Sequence, residues 1–123
     1  SLARTVLFEH AGLTADTVLP ELGSSVGDAL LAVHRSYLHA ITPLLKAGVV
    51  KGMAHITGGG ITENLPRTFP DGLGAEVSTS AWQVPALFRV IQDRGGIPDD
   101  EMLRAFNMGV GMIVVCGPEH VAL

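Results

Sequence analysis

The chain has little charge, few aromatics and almost no cysteine, and each shortage excludes something. Only 16% of its 123 residues are Asp, Glu, Lys or Arg, against roughly 25% in an average soluble domain. Hydrophobic residues make up 47% and mean hydropathy is +0.38, yet long apolar runs are missing. The longest, residues 110–116, is interrupted by Gly111 and falls far short of the ~20 residues a membrane helix requires. Arg4, Glu9 and His10 break the first segment, which excludes a signal peptide there. A chain this apolar with no membrane span implies surface that another domain or subunit covers. The alternative on composition alone is a compact globule with a large core, which 123 residues can build.

The 8 basic residues are scattered against 12 acidic ones, for a net charge of −4, and aromatics are only 5%. Without a basic patch interleaved with aromatics, nucleic acid is excluded as a main partner. The single cysteine, Cys116, cannot form an internal disulfide and fits a reducing cytoplasm. It ends an apolar segment, where a buried inert thiol is the simpler reading than a nucleophile. His34 and His39 are five apart, off a common helical face, and no His-Glu-x-x-His occurs. No metal site is expected from these spacings.

What is present is an alternation of helical and extended patterns. Residues 1–11 read as a helix stopped by Gly12. Residues 13–25 are irregular, broken by Pro20 and Gly23, and residues 26–41 have helical content. Thr42-Pro43 then starts another short helix that Gly48 ends. Residues 49–56 form a strand with Met53 and His55 on one face, Ala54 and Ile56 on the other. Residues 75–79 alternate and predict a half-exposed strand. Val84, Leu87, Phe88 and Ile91 recur with helical period up to Gly95-Gly96. That helix starts either from a Ser80–Gln83 capping box or at Pro85. Pro98 opens the next helix, with Asp99, Asp100 and Glu101 in its first turn. Residues 110–116 predict a strand buried on both faces, and Pro118 begins a last helix. This order implies a sheet covered by helices.

The most informative run is His55-Ile56-Thr57-Gly58-Gly59-Gly60-Ile61-Thr62-Glu63-Asn64-Leu65-Pro66-Arg67. Three glycines between a strand and a helix start weaken both, unless the backbone must approach something closely or take positive φ. Such a turn can point several N–H groups at an anion, and a plain tight turn is the competing reading. The run is not a P-loop, since no lysine follows, nor a dinucleotide fingerprint, which would need glycine where Glu63 stands.

Taken with Gly52-Met53-Ala54 before it, this run resembles the aminoimidazole ribonucleotide synthetases, or phosphoribosylformylglycinamidine cyclo-ligases, of purine biosynthesis. Ser1-Leu2-Ala3-Arg4, Pro20-Glu21-Leu22-Gly23 and Phe106-Asn107-Met108-Gly109-Val110-Gly111-Met112 fit the same family in order. The resemblance covers residues 1–123 as a single domain, most of that family's C-terminal domain. It implies an α+β fold, a three-layer α/β/α arrangement with a mixed sheet. It further implies an ATP-dependent ring closure of formylglycinamidine ribonucleotide by a cytoplasmic homodimer. ATP and Mg²⁺ would sit mostly on an N-terminal domain not found in these residues, so this piece alone should be inactive.

Substrate or phosphate binding is assigned to Thr57, Gly58, Gly59, Gly60, Glu63, Asn64, Arg67, Asn107 and Gly109, with His55 as a further candidate; no catalytic residue is identified. Bland readings stand beside these. Glu63 and Arg67, four apart, could form an intrahelical ion pair. Asn107, Gly109 and Gly111 could be a helix stop and strand entry, and His55 a structural imidazole. Asn64 reads as an exposed amide with no packing role, and Trp82 as core or interface. A sibling enzyme (formylglycinamidine ribonucleotide synthetase or selenophosphate synthetase) or a non-catalytic phosphate-binding or dimer-forming module remains open. The Ala54-to-Gly60 spelling with Glu63-Asn64-x-Pro66-Arg67 favours the cyclo-ligase.

Overall fold

A computed structural model describes all 123 residues. The first helix, α1 (Leu2–Arg4), runs directly into a π-helical stretch, Thr5–His10. There Ala11 N–H reaches back to the Val6 carbonyl at 2.8 Å. The widened turn buries Val6 and Leu7, and Gly12 stops it at φ 64°. Two short strands, β1 (Val18–Leu19) and β2 (Ser24–Ser25), pair antiparallel within the irregular segment. Ser25 caps α2 (Val26–Leu30), its hydroxyl accepting from the Asp28 N–H at 3.0 Å.

The helical content expected up to residue 41 stops at Leu30. Beyond it Leu31 and Val33 are 81% and 95% exposed, so a longer helix would have no apolar face to bury and no tertiary support. The next helix, α3 (Leu38–Lys46), starts earlier than the Thr42-Pro43 signal and carries Pro43 inside it. The Thr42 hydroxyl donates to the Leu38 carbonyl at 2.7 Å beside that proline.

Strand β3 (Val50–His55) pairs antiparallel with β4 (Met112–Cys116), with Ala54 opposite Ile113 and His55 opposite Met112. The expected faces hold: Ala54 and Ile56 are buried, Met53 and His55 exposed. The inner face packs on α4 (Gly60–Asn64) and the 3-10 turn Leu65–Thr68 that continues it. The strand expected at residues 75–79 is instead irregular and exposed, ending in a 3-10 turn at Thr79–Ala81. An alternating pattern needs a ladder partner, and no strand lies beside it. For the same reason β4 is only half-buried along its length, not enclosed on both faces.

Helix α5 (Ala86–Gly95) begins after Pro85, with no capping box at Ser80, and ends at Gly96 in the left-handed region. Helix α6 (Asp99–Ala105) follows Pro98 with three acids in its first turn, and Pro118–His120 forms a final 3-10 turn. The architecture is α+β. Its ladders are two antiparallel pairs, so the mixed sheet between helical layers is not formed within these residues. The larger core cluster joins Val6, Leu7, Val26, Val90, Ile91 and Met102, and the smaller joins Ala54, Ile56, Ile61 and Leu65.

Candidate functional site

The glycine run turns the chain from the end of β3 into α4. Gly60 N–H donates to the Thr57 carbonyl at 3.0 Å, closing a tight turn, and Gly59 and Gly60 take φ of 97° and 60°. The three glycines answer to different demands. A side chain on Gly60 would run into the Leu103 carbonyl at the end of α6, so that position exists for close backbone approach. A Cβ on Gly59 would lie 2.6 Å from the Glu63 carboxylate, which folds back over the turn, whereas one on Gly58 would meet nothing within 4 Å. Gly58 and Gly59 N–H have no partner within the chain, whereas Gly60 N–H is consumed by the turn. Two of the three expected amides are therefore free for an anion.

Asn64 is not the exposed amide that the sequence suggests. It is 5% exposed, and its Nδ2 donates to the carbonyls of Gly60 at 2.8 Å, Gly58 at 3.1 Å and Thr57 at 3.4 Å. One side chain thus holds the whole turn in shape from below. A buried amide satisfied in this way fixes the direction of the free N–H groups above it. The Glu63–Arg67 ion pair is absent, the chain's single ion pair being His120–Glu119. Pro66 switches the helix to 3-10 geometry before Arg67, which removes the stacked i, i+4 relation that the pairing needs. Glu63 and Arg67 are both exposed.

A cleft of about 230 Å³ opens beside the turn, lined by Ile56, Thr57, Gly58, Phe88, Phe106 and Asn107 together with Ala105. It brings Thr57 and Gly58 together with Asn107, from distant parts of the sequence. Asn107 Oδ1 accepts from Gly109 N–H at 2.9 Å. Between them Met108 sits at φ 52° although it is not glycine, a conformation that costs of order 1–3 kcal/mol and persists only where neighbours enforce it. Two neighbours hold it: the Trp82 indole donates to the Met108 carbonyl at 2.9 Å, and the Met108 side chain is buried in the larger core. Gly109 takes φ 96° with Pro85 against it. Its place beside Asn107 is in the turn and not in the cleft lining.

His55 lies outside this cleft. It is exposed on the outer face of the sheet, with its ring centroid 5.4 Å from that of His34 in an edge-on pair. The aromatic walls, Phe88 and Phe106, centroids 5.6 Å apart, were not singled out as site residues from the sequence. Phe88 was legible only as part of a helical stripe, and nothing local to Phe106 says that it faces Thr57.

Chemically, the cleft offers the unpaired Gly58 amide, a threonine and an asparagine against aromatic walls, with the unpaired Gly59 amide next to it in the turn, which suits a small anionic group. Its volume is below the ~300–1,000 Å³ of a site that encloses a whole small molecule. No three His, Cys, Asp or Glu side chains converge anywhere in the chain, so these residues do not by themselves fit a Mg²⁺ cage. No helix is long and apolar enough to cross a membrane.

Comparison with known proteins gives a consistent result. The model of a family described as AIR synthase related protein, C-terminal domain, matches residues 2–123. A protein of Bifidobacterium longum (strain DJO10A) named phosphoribosylformylglycinamidine cyclo-ligase is 52% identical over 119 residues, 96% of this chain and 34% of that protein. One of the same name from Desulfitobacterium hafniense (strain DSM 10664 / DCB-2) is 52% identical over 102 residues, 83% of this chain and 30% of its own length. An Arabidopsis thaliana protein of that name, qualified as chloroplastic, is 50% identical over 119 residues, covering 97% of this chain and 30% of the relative. The chain spans about a third of the length of the curated relatives it matches.

Proposed function

The chain belongs to the AIR synthase related protein, C-terminal domain family, and on that premise we propose that it forms the C-terminal domain, or most of it, of a phosphoribosylformylglycinamidine cyclo-ligase. The complete polypeptide then closes the ring of formylglycinamidine ribonucleotide to give aminoimidazole ribonucleotide, with ATP going to ADP and phosphate. This is a ligase step of purine biosynthesis, carried out by a cytoplasmic homodimer. The observation that carries the reading is the family match along nearly the whole chain. The names of the relatives support it, and so does a glycine turn with two free amides, of which Gly58 lines a cleft.

The chemistry asks for a phosphoryl group to be positioned and its charge balanced, more than for a protein nucleophile. What this chain contributes is binding. Gly58 and Gly59 N–H, with Thr57 and Asn107, take a phosphate of the ribonucleotide, and Asn64 keeps the turn in register below them. Arg67 on the exposed rim adds its guanidinium to the same phosphate and Glu63 beside it reaches toward the rest of the substrate, with Gly60 and Gly109 shaping the two turns and His55 left outside the cleft. ATP and Mg²⁺ are held mostly by the part of the polypeptide outside residues 1–123, so no step is routed through the ion here, and residues 1–123 alone are inactive. In the same reading β3 and β4 belong to a larger mixed sheet between helical layers.

The test is a purified complete polypeptide given formylglycinamidine ribonucleotide and ATP. One ADP and one aminoimidazole ribonucleotide should appear per turnover. ATP turnover that instead requires formylglycinamide ribonucleotide with glutamine, or selenide, would move the chain to a sibling enzyme.

A further inference from the structure

A second cavity, of about 640 Å³ against 230 Å³ for the cleft at the glycine turn, shares no lining residue with that cleft. Helix α5 serves both. Phe88 lines the cleft, while Ala86, Arg89, Val90, Asp93 and Arg94 line the cavity, the i, i+3, i+4, i+7, i+8 stripe that one helix face presents. The volume falls in the range that encloses a whole small molecule.

Four of the lining residues are charged: Glu21, from the turn between β1 and β2, and Arg89, Asp93 and Arg94 of α5. None of them is in an ion pair, the single one in the chain being His120–Glu119. Arg89 and Asp93 stand four apart on α5, a spacing that permits a pair, and they remain unpaired. Asp93 also lies in the last turn of α5, where the helix dipole favours cations over acids. Two cations and two carboxylates therefore line one cavity without neutralising each other.

We propose that this cavity binds a free α-amino acid with an apolar side chain. Charge decides the ligand class. A phosphate dianion gains Arg89 and Arg94 but sets its own charge against Glu21 and Asp93, and a diamine meets the reverse conflict. A zwitterion satisfies both signs. Its carboxylate takes the planar guanidinium forks, and its ammonium donates to the two carboxylates. The rest of the wall includes Trp82, Val84, Ala86 and Val90, an apolar surface for the ligand's side chain. Trp82 is already held in place, its indole N–H donating to the Met108 carbonyl at 2.9 Å, so that wall needs no ordering when the ligand arrives.

Such a site is independent of the ring closure proposed above, because it uses none of the residues of the glycine turn. Calorimetric titration of the complete polypeptide with phenylalanine, N-acetylphenylalanine and phenylalanine amide tests it. Phenylalanine should bind, and each derivative, lacking one of the two charges, should bind at least ~10-fold more weakly. Arg89→Gln combined with Arg94→Gln should weaken phenylalanine to the level of its amide and leave the amide itself unchanged, since the contact it deletes is one the amide never made. Both arginines are exposed, so this variant should unfold as the wild type does, and matched unfolding curves check that. Absence of binding by phenylalanine, leucine and methionine up to about 10 mM would overturn the site. Equal affinities for the three phenylalanine compounds would overturn it too, as would phenylalanine binding that survives the loss of both arginines.

Discussion

The two core clusters of this chain differ in how complete they are. The larger draws on both ends of the sequence, and Leu7, Val26, Met102 and Ile91 within it are 0–1% exposed. The smaller consists of Ala54, Ile56, Ile61 and Leu65 under a two-stranded ladder with an open edge. Yet the smaller cluster carries the glycine turn, while the larger contributes only the far wall of the cleft through Phe88 and Phe106. Packing is closed in the larger cluster and open in the one that carries the candidate turn. Binding elements are commonly drawn from the less stable end of a structure, and the candidate turn sits in the more open of the two clusters. Only 16 of 123 residues are buried, which fits the low charge: much apolar surface has no partner within the chain.

The seam between the clusters offers the hardest test of this contrast. Gly60 of α4 rests against the Leu103 and Phe106 carbonyls at the end of α6, so Gly60→Ala should force the two halves apart. A backbone clash at positive φ has no flexible side chain to absorb it, and we expect a loss of about 4 kcal/mol or more. Denaturant unfolding of the complete polypeptide measures this. A loss below ~1 kcal/mol would mean that the seam is not rigid.

Within the clusters the same comparison predicts unequal costs for one chemical change. Leu7→Ala removes a fully buried side chain from the larger cluster, where neighbours on all sides resist collapse, and should cost about 3–4 kcal/mol. Leu65→Ala, at 6% exposure beside an open groove, should cost about 2 kcal/mol, because the site can relax. Equal losses in matched unfolding curves would erase the distinction between a closed and an open core.

Helices whose apolar period matches what they bury were legible in the sequence. The stripe Val84, Leu87, Phe88, Ile91 and the signals Pro98 and Gly96 placed α5 and α6 closely, since local punctuation and packing agree there. The strand expected at residues 75–79 did not form, and the one found at Met112–Cys116 is not buried on both faces, for one shared reason. Alternation and apolarity describe what a segment can pair with, and the partner edge is missing from these 123 residues. Within the site, the turn itself was legible from three glycines. Asn64 was misread because nothing in a polar residue's spacing says that its amide points inward, to three carbonyls of the preceding turn. The competing reading of Arg67 as the partner of Glu63 is ruled out by Pro66, which ends the α-helical geometry that pairing requires.

Asn64 gives the third prediction. Asn64→Ala takes a donor from the buried Gly60 carbonyl and the part-buried Gly58 carbonyl, at a cost of about 1–2 kcal/mol. The effect on the site should exceed the effect on the fold, because the turn loses its direction while the larger core is untouched. Substrate KM should therefore rise in a variant that still unfolds cooperatively. An unchanged KM with the full stability loss would show that the amide supports the fold alone.

The smallest effect on stability, and the sharpest on function, is expected at Arg67. With no ion pair to Glu63 and an exposed side chain, Arg67→Ala should change unfolding by no more than ~0.5 kcal/mol. If the guanidinium serves the substrate phosphate, the same change deletes a charge-assisted contact and should weaken binding by roughly 2 kcal/mol or more. That corresponds to about thirtyfold in Kd or KM. Arg67→Lys should recover only part of the loss, because lysine keeps the charge but not the planar fork. Raising the salt concentration should narrow the gap between wild type and Arg67→Ala, since exposed charge is screened within about 10 Å at 0.1 M. The pairing of near-zero stability change with a large binding change is what a solvent-facing binding arginine requires and what a structural one forbids. Wild-type affinity in Arg67→Ala would remove this residue from the site and leave the phosphate to the amides of Gly58 and Gly59.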